Sequence, residues 1–244
     1  NYGMHGAVLS NAADAVTAIK VKVFDEKSVT PDELNAAIEA NFEGFSELRN
    51  ALIACPKTGN NDALPDGIMR ELAYTFADAL KGKTTPFGGV WRAGTGSAME
   101  YVNAAAVVGA TADGRKAGEY YACSFSPSLT ARLSGPLSAV QSFTSFDLAP
   151  VCNGGPFTIE IHDAVFRNAE GEKKTAALVK AFIDRGGHQI QINAINRDKL
   201  LDAQAHPENY PNLIVRVWGW SGYFAELDKK YQDHVIKRAE FNFG

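Results

Sequence analysis

The pattern of apolar positions changes once along the chain and divides it into a helical first part and a mixed second part. Up to about residue 82, apolar residues recur every three or four positions, which is the spacing of one helix face. The stripes are Val16, Ile19 and Val23; Leu34, Ile38 and Phe42; and Ile68, Leu72, Phe76 and Leu80. We predict that the first helix has Ser10 or Asn11 as its N-cap. Thr30, followed by Pro31 and Glu33, predicts the start of another helix through a capping box.

Further along, two segments alternate strictly between apolar and polar residues. Phe157, Ile159 and Ile161 alternate with Thr158, Glu160 and His162, and the run 188–194 follows the same rule. This period of two predicts strands, and the helical stripe between them ends at the glycine pair 186–187. Asn196 is then a predicted N-cap for a helix over 197–205. Strand, helix and strand in this order predict an α/β protein with a crossover connection.

Composition and charge exclude several classes of function. The 244 residues are 45% hydrophobic and 21% charged, as in a soluble globular domain. The net charge of −4 leaves no basic surface for nucleic acid, and no apolar run is long enough to span a membrane. The three cysteines show no paired framework and the five histidines no metal-binding spacing. We therefore predict a protein of the reducing cytoplasm, with neither nucleic acid nor membrane as a partner.

Residues 216–221, Arg-Val-Trp-Gly-Trp-Ser, follow a short apolar run near the end of the chain. Taken alone, they are typical of a strand that ends in a glycine turn. Other segments accompany them in a fixed order: Gly-Gly-His-Gln-Ile-Gln-Ile-Asn at 186–193, Asn-Arg-Asp-Lys-Leu-Leu-Asp-Ala at 196–203, His-Pro-Glu-Asn-Tyr at 206–210 and Gln-Asp-His-Val-Ile-Lys-Arg at 232–238. In this order and spacing, the segments resemble the C-terminal region of the glycyl radical enzymes, the pyruvate formate-lyase superfamily.

The resemblance implies that Gly219 stores a radical on its α-carbon. A carbon radical of this kind is most stable when planar, and a Cβ would crowd the planar centre, so that glycine suits the position. Arg216, Trp218, Trp220 and Ser221 are predicted to support the loop. Ordinary packing is the alternative role for the two tryptophans, and both roles can hold together.

The family also implies a fold and a domain organisation. We expect an α/β chain that forms half of a ten-stranded α/β barrel of the glycyl radical enzyme type, with the glycine loop near the C-terminus. We predict one domain over 1–244, with a helical part over 10–82 and an α/β half-barrel that carries the radical loop over 86–244.

In this family the glycyl radical abstracts hydrogen from a cysteine on an opposing loop, and none of the contexts of Cys55, Cys123 and Cys152 resembles that loop. We therefore predict the glycyl-radical-bearing catalytic subunit of a split, anaerobic radical lyase, which a larger cysteine-bearing subunit completes. A piece of a longer enzyme is an alternative. The radical would be installed by an activating enzyme that uses S-adenosylmethionine and an iron–sulfur cluster, and no cofactor is expected to stay bound to this chain.

The bond that is cleaved, C–C, C–O, C–N or C–S, stays open, and two other functions compete. One is a synthase subunit that forms a C–C bond by addition to fumarate, and the other is a non-catalytic repair protein. Arg132, Glu160 and His162 are the predicted substrate-side residues. Arg132 stands in a loop where the diol and choline lyases of this family usually carry an acidic residue. An arginine in that place would suit a small carboxylate substrate. A surface position for Arg132 and a solvated strand face for Glu160 and His162 are the structural alternatives.

Overall fold

A computed structural model describes residues 1–97, 99–217 and 219–239. Its helices are α1 (Leu9–Ile19), α2 (Pro31–Glu39), α3 (Ser46–Ile53), α4 (Ala63–Leu80), α5 (Glu100–Asn103), α6 (Pro136–Phe143), α7 (Ala169–Asp184), α8 (Arg197–Ala205) and α9 (Lys229–Ala239). Its strands are β1 (Tyr2–His5), β2 (Trp91–Gly94), β3 (Phe157–His162), β4 (Ile190–Ile195), β5 (Ile214–Arg216) and β6 (Ser221–Tyr223). Helices therefore dominate the first part, and strands and helices alternate later.

Local capping explains where several helices begin. The capping box before α2 is confirmed, because Thr30 accepts a hydrogen bond from the Glu33 amide at 3.2 Å and Glu33 accepts one from the Thr30 amide at 2.8 Å. Asn196 caps α8 as predicted and accepts from the Lys199 amide at 3.1 Å. The predicted cap of α1 is wrong, since that helix already begins at Leu9.

Within the described residues, the strands pair in three short sheets. β1 and β2 are parallel, with Tyr2 opposite Trp91. β3 and β4 are also parallel, with Phe157 opposite Ile190, and α7 connects them, which confirms the predicted crossover unit. The segment before β3 joins the first pair, because the Thr95 amide donates to the Gly154 carbonyl at 2.7 Å. β5 and β6 form an antiparallel hairpin.

The apolar residues collect in separate cores. The main core lies between β3, α6 and α7, where the ring of Phe157 is 5.2 Å from that of Phe143 and 5.8 Å from that of Phe182. We name a second one the C-terminal core; it consists of Leu200, Ala203, Val215, Val217, Phe224, Val235, Ile236 and Ala239, which come from α8, α9, the β5–β6 hairpin and the residues beside it. The two cores share no residue, so the hairpin packs with its own helices rather than with the main core.

Buried polar side chains fix the long loops between these layers. Asp14 of α1 accepts from the Thr58 amide at 2.7 Å and from the Ser128 hydroxyl at 2.6 Å. Ser142 accepts from the Gly59 amide at 2.7 Å. Because these contacts join residues far apart in sequence, the loop around Ser128 is held in place by α1 and its neighbours.

Candidate functional site

The predicted site lies on a hairpin. We call β5, β6 and the connecting residues 217–220 the glycine hairpin. Its turn is closed by a hydrogen bond of 3.0 Å from the Val217 amide to the Trp220 carbonyl. Gly219 has a φ of +64°, in the left-handed region that favours glycine. If a Cβ is built on Gly219, no described heavy atom lies within 4 Å of it, apart from those of the two neighbouring residues in the chain. Glycine is therefore favoured here by the backbone conformation and not by a lack of room for a side chain.

Three of the four predicted supporting residues, Arg216, Trp220 and Ser221, lie in the described part of the hairpin. Arg216 and Ser221 are opposite each other in the hairpin, and the guanidinium of Arg216 donates to the Ser221 hydroxyl at 3.4 Å. Trp220 is 40% exposed, and its ring lies 2.8 Å from a Cβ built on Gly222. Trp218 lies outside the described residues. The hairpin thus presents Gly219 on an exposed turn with Trp220 beside it.

A buried arginine from α9 holds the base of the glycine hairpin. Arg238 donates through Nη1 to the carbonyl of Val217 at 3.1 Å and through Nη2 to the carbonyl of Arg216 at 2.9 Å. Its Nε lies 2.8 Å from Oε1 of Glu160 on β3, and both side chains are almost completely buried. One guanidinium therefore connects the two peptides that precede Trp218 with the parallel strand pair.

Glu160 lies in a polar network rather than on a solvated face. The Asn193 amide nitrogen, on the neighbouring strand β4, donates to its Oε1 at 2.9 Å. Oε2 has no hydrogen-bond partner among the described residues. Burial raises the pKa of the Glu160 carboxyl, and the positive charge of Arg238 opposes that rise. Glu160 also lines a small cavity of about 50 Å³ together with Ser126, Thr158 and Arg238.

The other two predicted substrate-side residues lie elsewhere. His162 ends β3 and is partly exposed, and its Nδ1 accepts from the Ala164 amide at 3.1 Å. Arg132 is exposed and lines a separate surface cavity of about 690 Å³ with Arg49 and Lys237. The structure therefore joins Glu160 to the glycine hairpin through Arg238, and it does not bring Arg132 into that cluster.

All three cysteines are free, and their surroundings differ. Cys55 and Cys123 are buried, which raises the pKa of both thiols, whereas Cys152 is exposed. The sulfur of Cys123 lies 3.9 Å from Nη1 of Arg238, on the same guanidinium that holds the glycine hairpin.

An aromatic contact attaches α9 to the rest of the molecule. The ring centroid of His234 lies 4.4 Å from that of Tyr101 and 5.4 Å from that of Tyr120, with the last two rings nearly perpendicular. Burial, with a contribution from the charge of Arg238, lowers the pKa of His234 well below its ordinary value. His234 is therefore neutral at pH 7.

Arg238, His234 and Asn193 are functional candidates that the sequence alone does not single out. A signal existed for all three, since residues 186–193 and 232–238 both formed part of the resemblance. Their partners, however, are on strands and loops far away along the chain. Over 1–97, 99–217 and 219–239, no group of three or more side chains could hold a metal ion. No helix in these ranges is both long enough and apolar enough to traverse a bilayer.

Comparison with known proteins identifies the family. A family model described as "Pyruvate formate lyase-like" matches residues 1–104, and one described as "Glycine radical" matches residues 122–225. The chain belongs to the glycyl radical enzyme superfamily. The "Glycine radical" match includes the glycine hairpin.

Two curated glycyl radical relatives show how much of the family this chain represents. It is 32% identical over 242 residues to the trans-4-hydroxy-L-proline dehydratase of Clostridioides difficile, covering 98% of this chain and 30% of the relative. It is 34% identical over 235 residues to the isethionate sulfite-lyase of Nitratidesulfovibrio vulgaris, covering 92% of this chain and 27% of the relative. The chain thus spans about 30% of the length of the curated relatives it matches.

A solved structure confirms the predicted fold class. The B12-independent glycerol dehydratase from Clostridium butyricum superposes with a TM-score of 0.93 at 34% identity, over 97% of this chain and 30% of the other. This chain therefore has the fold of the corresponding part of the glycyl radical enzyme barrel, with the glycine hairpin near its C-terminus.

Proposed function

We propose that this chain is the glycyl-radical-bearing part of an anaerobic radical lyase and that Gly219 stores the radical. The observation that carries the proposal is the place of Gly219, at a left-handed turn of a hairpin within the "Glycine radical" match. Glycine takes that conformation at little cost and lacks the Cβ that would crowd a planar radical centre. Trp220, next to Gly219 in the turn, and Trp218 are proposed to support the loop.

The proposed chemistry is a reversible hydrogen-atom transfer. The α-carbon radical of Gly219 takes the hydrogen atom of a cysteine thiol, which restores the glycine C–H bond and leaves a thiyl radical on sulfur. The thiyl radical then takes a hydrogen atom from a substrate C–H bond, and the substrate radical breaks a neighbouring bond. The relatives named above are dehydratases and a sulfite-lyase, which favours cleavage over the formation of a C–C bond.

We propose that the reactive thiol lies outside these 244 residues, on a larger partner chain. Cys55 and Cys123 are buried, and none of Cys55, Cys123 and Cys152 stands in a sequence context that resembles the cysteine loop of the family. The alternative, in which one polypeptide carries both the thiol and the glycine, is favoured by relatives that are more than three times as long as the region they share with this chain. The mass of the denatured native protein separates the two arrangements.

The activator and the substrate are further parts of the proposal. We infer that a separate S-adenosylmethionine and iron–sulfur enzyme removes the α-hydrogen of Gly219. We propose a small carboxylate as substrate, because one relative is named for an amino-acid substrate and Arg132 is exposed in its cavity. Glu119, which pairs with Arg49, and Asp233 line the same cavity, so Arg132 is the residue that carries this proposal. His162 remains a substrate-side candidate.

An oxygen-poor cytoplasm is the proposed location, since both the radical and the thiol are destroyed by oxidation.

Electron paramagnetic resonance tests the role of Gly219. The native protein is activated anaerobically with its activating enzyme, beside Gly219→Ala and the matched control Gly186→Ala. Gly186 has a φ of +78° and, like Gly219, nothing within 4 Å of an added Cβ, so the control introduces the same backbone strain elsewhere. We expect a doublet from one α-hydrogen in the wild type and in Gly186→Ala, and no signal in Gly219→Ala.

Two results would refute this assignment. The first is the same doublet in Gly219→Ala. The second is no signal in a wild-type protein whose activating enzyme is shown to cleave S-adenosylmethionine. If the chain instead restores a complete but clipped enzyme and no partner depends on it, the repair function replaces the subunit function.

A further inference from the structure

The glycine hairpin belongs to a part of the molecule that packs separately from the strands beneath it. Val215 of β5 and Val217 of the turn lie in the C-terminal core with Leu200 of α8 and Val235 of α9. The main core behind β3 contains no residue of this set. The position of the hairpin relative to β3 must therefore be fixed by contacts that lie outside these two cores.

Arg238 supplies a contact of this kind at the base of the hairpin. Its side chain starts on α9 within the C-terminal core, and its two terminal nitrogens donate to the carbonyls of Val217 and Arg216 at 3.1 and 2.9 Å. Its Nε faces Glu160 of β3 at 2.8 Å. A planar guanidinium can make these contacts together, whereas an ammonium group has a single nitrogen.

Glu160 is arranged to receive this arginine. It is only 6% exposed, and Asn193 of β4 donates to the same oxygen that faces Arg238. A buried carboxylate without a positive partner would be strongly disfavoured, so Glu160 and Arg238 depend on each other. The carboxylate therefore has a function in the fold that needs no substrate.

We propose that Arg238 is the positioning residue that holds the glycine hairpin against β3, and that Glu160 serves this hairpin contact rather than the substrate. This inference rests on the proposed function, since it is the radical glycine that the contact would position. The two carbonyls that Arg238 holds belong to the residues directly before Trp218 and Gly219. Fixing them fixes the base of the turn in which Gly219 lies.

Hydrogen exchange on the native protein, before any radical is installed, tests the proposal. The variants are Arg238→Gln, Arg238→Lys and Glu160→Gln. The matched control is Arg115→Gln, because Arg115 is an equally buried arginine that donates to the carbonyls of Lys116 and Glu119 at 2.9 and 2.8 Å, in a different loop. The segment measured is 214–223, where the Val217 amide reports on the turn.

We expect exchange in 214–223 to accelerate by on the order of tenfold in Arg238→Gln, since hydrogen bonds from charged donors are the strong class. Arg238→Lys should be intermediate, because it keeps the charge but not both carbonyl contacts. Glu160→Gln should accelerate the same segment to a smaller degree. Arg115→Gln should accelerate its own loop and leave 214–223 at the wild-type rate.

The proposal is overturned if 214–223 exchanges no faster in Arg238→Gln than in Arg115→Gln. If Arg238→Gln does not fold, Glu160→Gln decides on its own, and a wild-type rate in 214–223 overturns the proposal. Exchange is independent of the radical. An absent radical signal with accelerated exchange would refute only the role of Gly219, and a radical signal with unchanged exchange would refute only the role of Arg238.

Discussion

Asp14 gives a stability prediction with a definite sign. Its carboxylate is completely buried on α1 and accepts from the Thr58 amide and the Ser128 hydroxyl. Burial raises its pKa from 3.8 to about 7; the hydrogen bonds and Lys57 oppose the rise, and Asp113 adds to it. Ser128 also lines the cavity beside Glu160, so this carboxyl holds a loop next to the candidate site.

The size of the effect follows from this difference in pKa. A carboxyl whose pKa is raised in the folded state binds more protons there than in the unfolded state. Its ionisation therefore destabilises the fold increasingly as pH rises from about 4 to 7. Each unit of pKa difference corresponds to about 1.36 kcal/mol, so above pH 7 ionisation of Asp14 lowers the free energy of unfolding by about 4 kcal/mol. At pH 5 this decrease is only about 1.7 kcal/mol.

Asp14→Asn removes this ionisation and can keep both contacts. The asparagine oxygen can accept from the Thr58 amide while its nitrogen donates to the Ser128 hydroxyl. We expect the stability of the variant relative to wild type, measured by urea unfolding, to rise by about 2.5 kcal/mol between pH 5 and pH 8. Asp62→Asn is the control. Asp62 is the N-cap of α4, a position where asparagine caps a helix about as well as aspartate does.

One outcome would refute the argument about Asp14. If Asp14→Asn changes the free energy of unfolding by the same amount at pH 5 and pH 8, the buried carboxyl does not titrate in this range. The loop around Ser128 would then be held by an ionised aspartate, and Lys57 would have to balance the charge.

Two further predictions concern α8 and α9. His234→Phe should remove a loss of stability in acid, because wild-type His234 gains a proton on unfolding below about pH 6.5, at up to about 1.36 kcal/mol per pH unit. Unfolding at pH 7 and pH 5.5 measures this, and an identical pH dependence in both proteins would contradict it. Asn196→Ala should lower the free energy of unfolding by about 1 kcal/mol, since it removes the cap of α8. Urea unfolding measures it, and an unchanged midpoint would show that the cap contributes nothing.

The sequence predicts the local structure well where the cause is local. The capping box at Thr30 and the N-cap at Asn196 each depend on residues within one helical turn, and the structure confirms both predictions. The alternation in β3 depends on neighbours two positions apart, and it identified the apolar face that packs on α6 and α7. The glycine hairpin was recognised through a resemblance that extended over several segments.

Contacts between distant residues were the part that the sequence could not supply. Ser10 or Asn11 is the predicted cap of α1, but the Asn11 side chain donates to Asp113 and accepts from the Ala122 amide, more than 100 residues away. β1 pairs with β2, whose residues lie almost 90 positions further along. For Glu160, periodicity predicted the face of the strand but not the partner, because Arg238 comes from a helix that no local pattern connects to β3.

The polar character of the contact between Arg238 and Glu160 has a physical consequence for the glycine hairpin. An apolar side-chain pair of the same volume would often be as stabilising as a buried ion pair or more so, because both charges lose their hydration. When the two sides separate, however, water solvates the charges but not an apolar surface, so a polar contact costs less to open. The hairpin keeps an apolar core of its own and meets β3 through a charged contact. This arrangement suits an element that holds one position and still separates as a unit, which the proposed activation of Gly219 by a second enzyme would require.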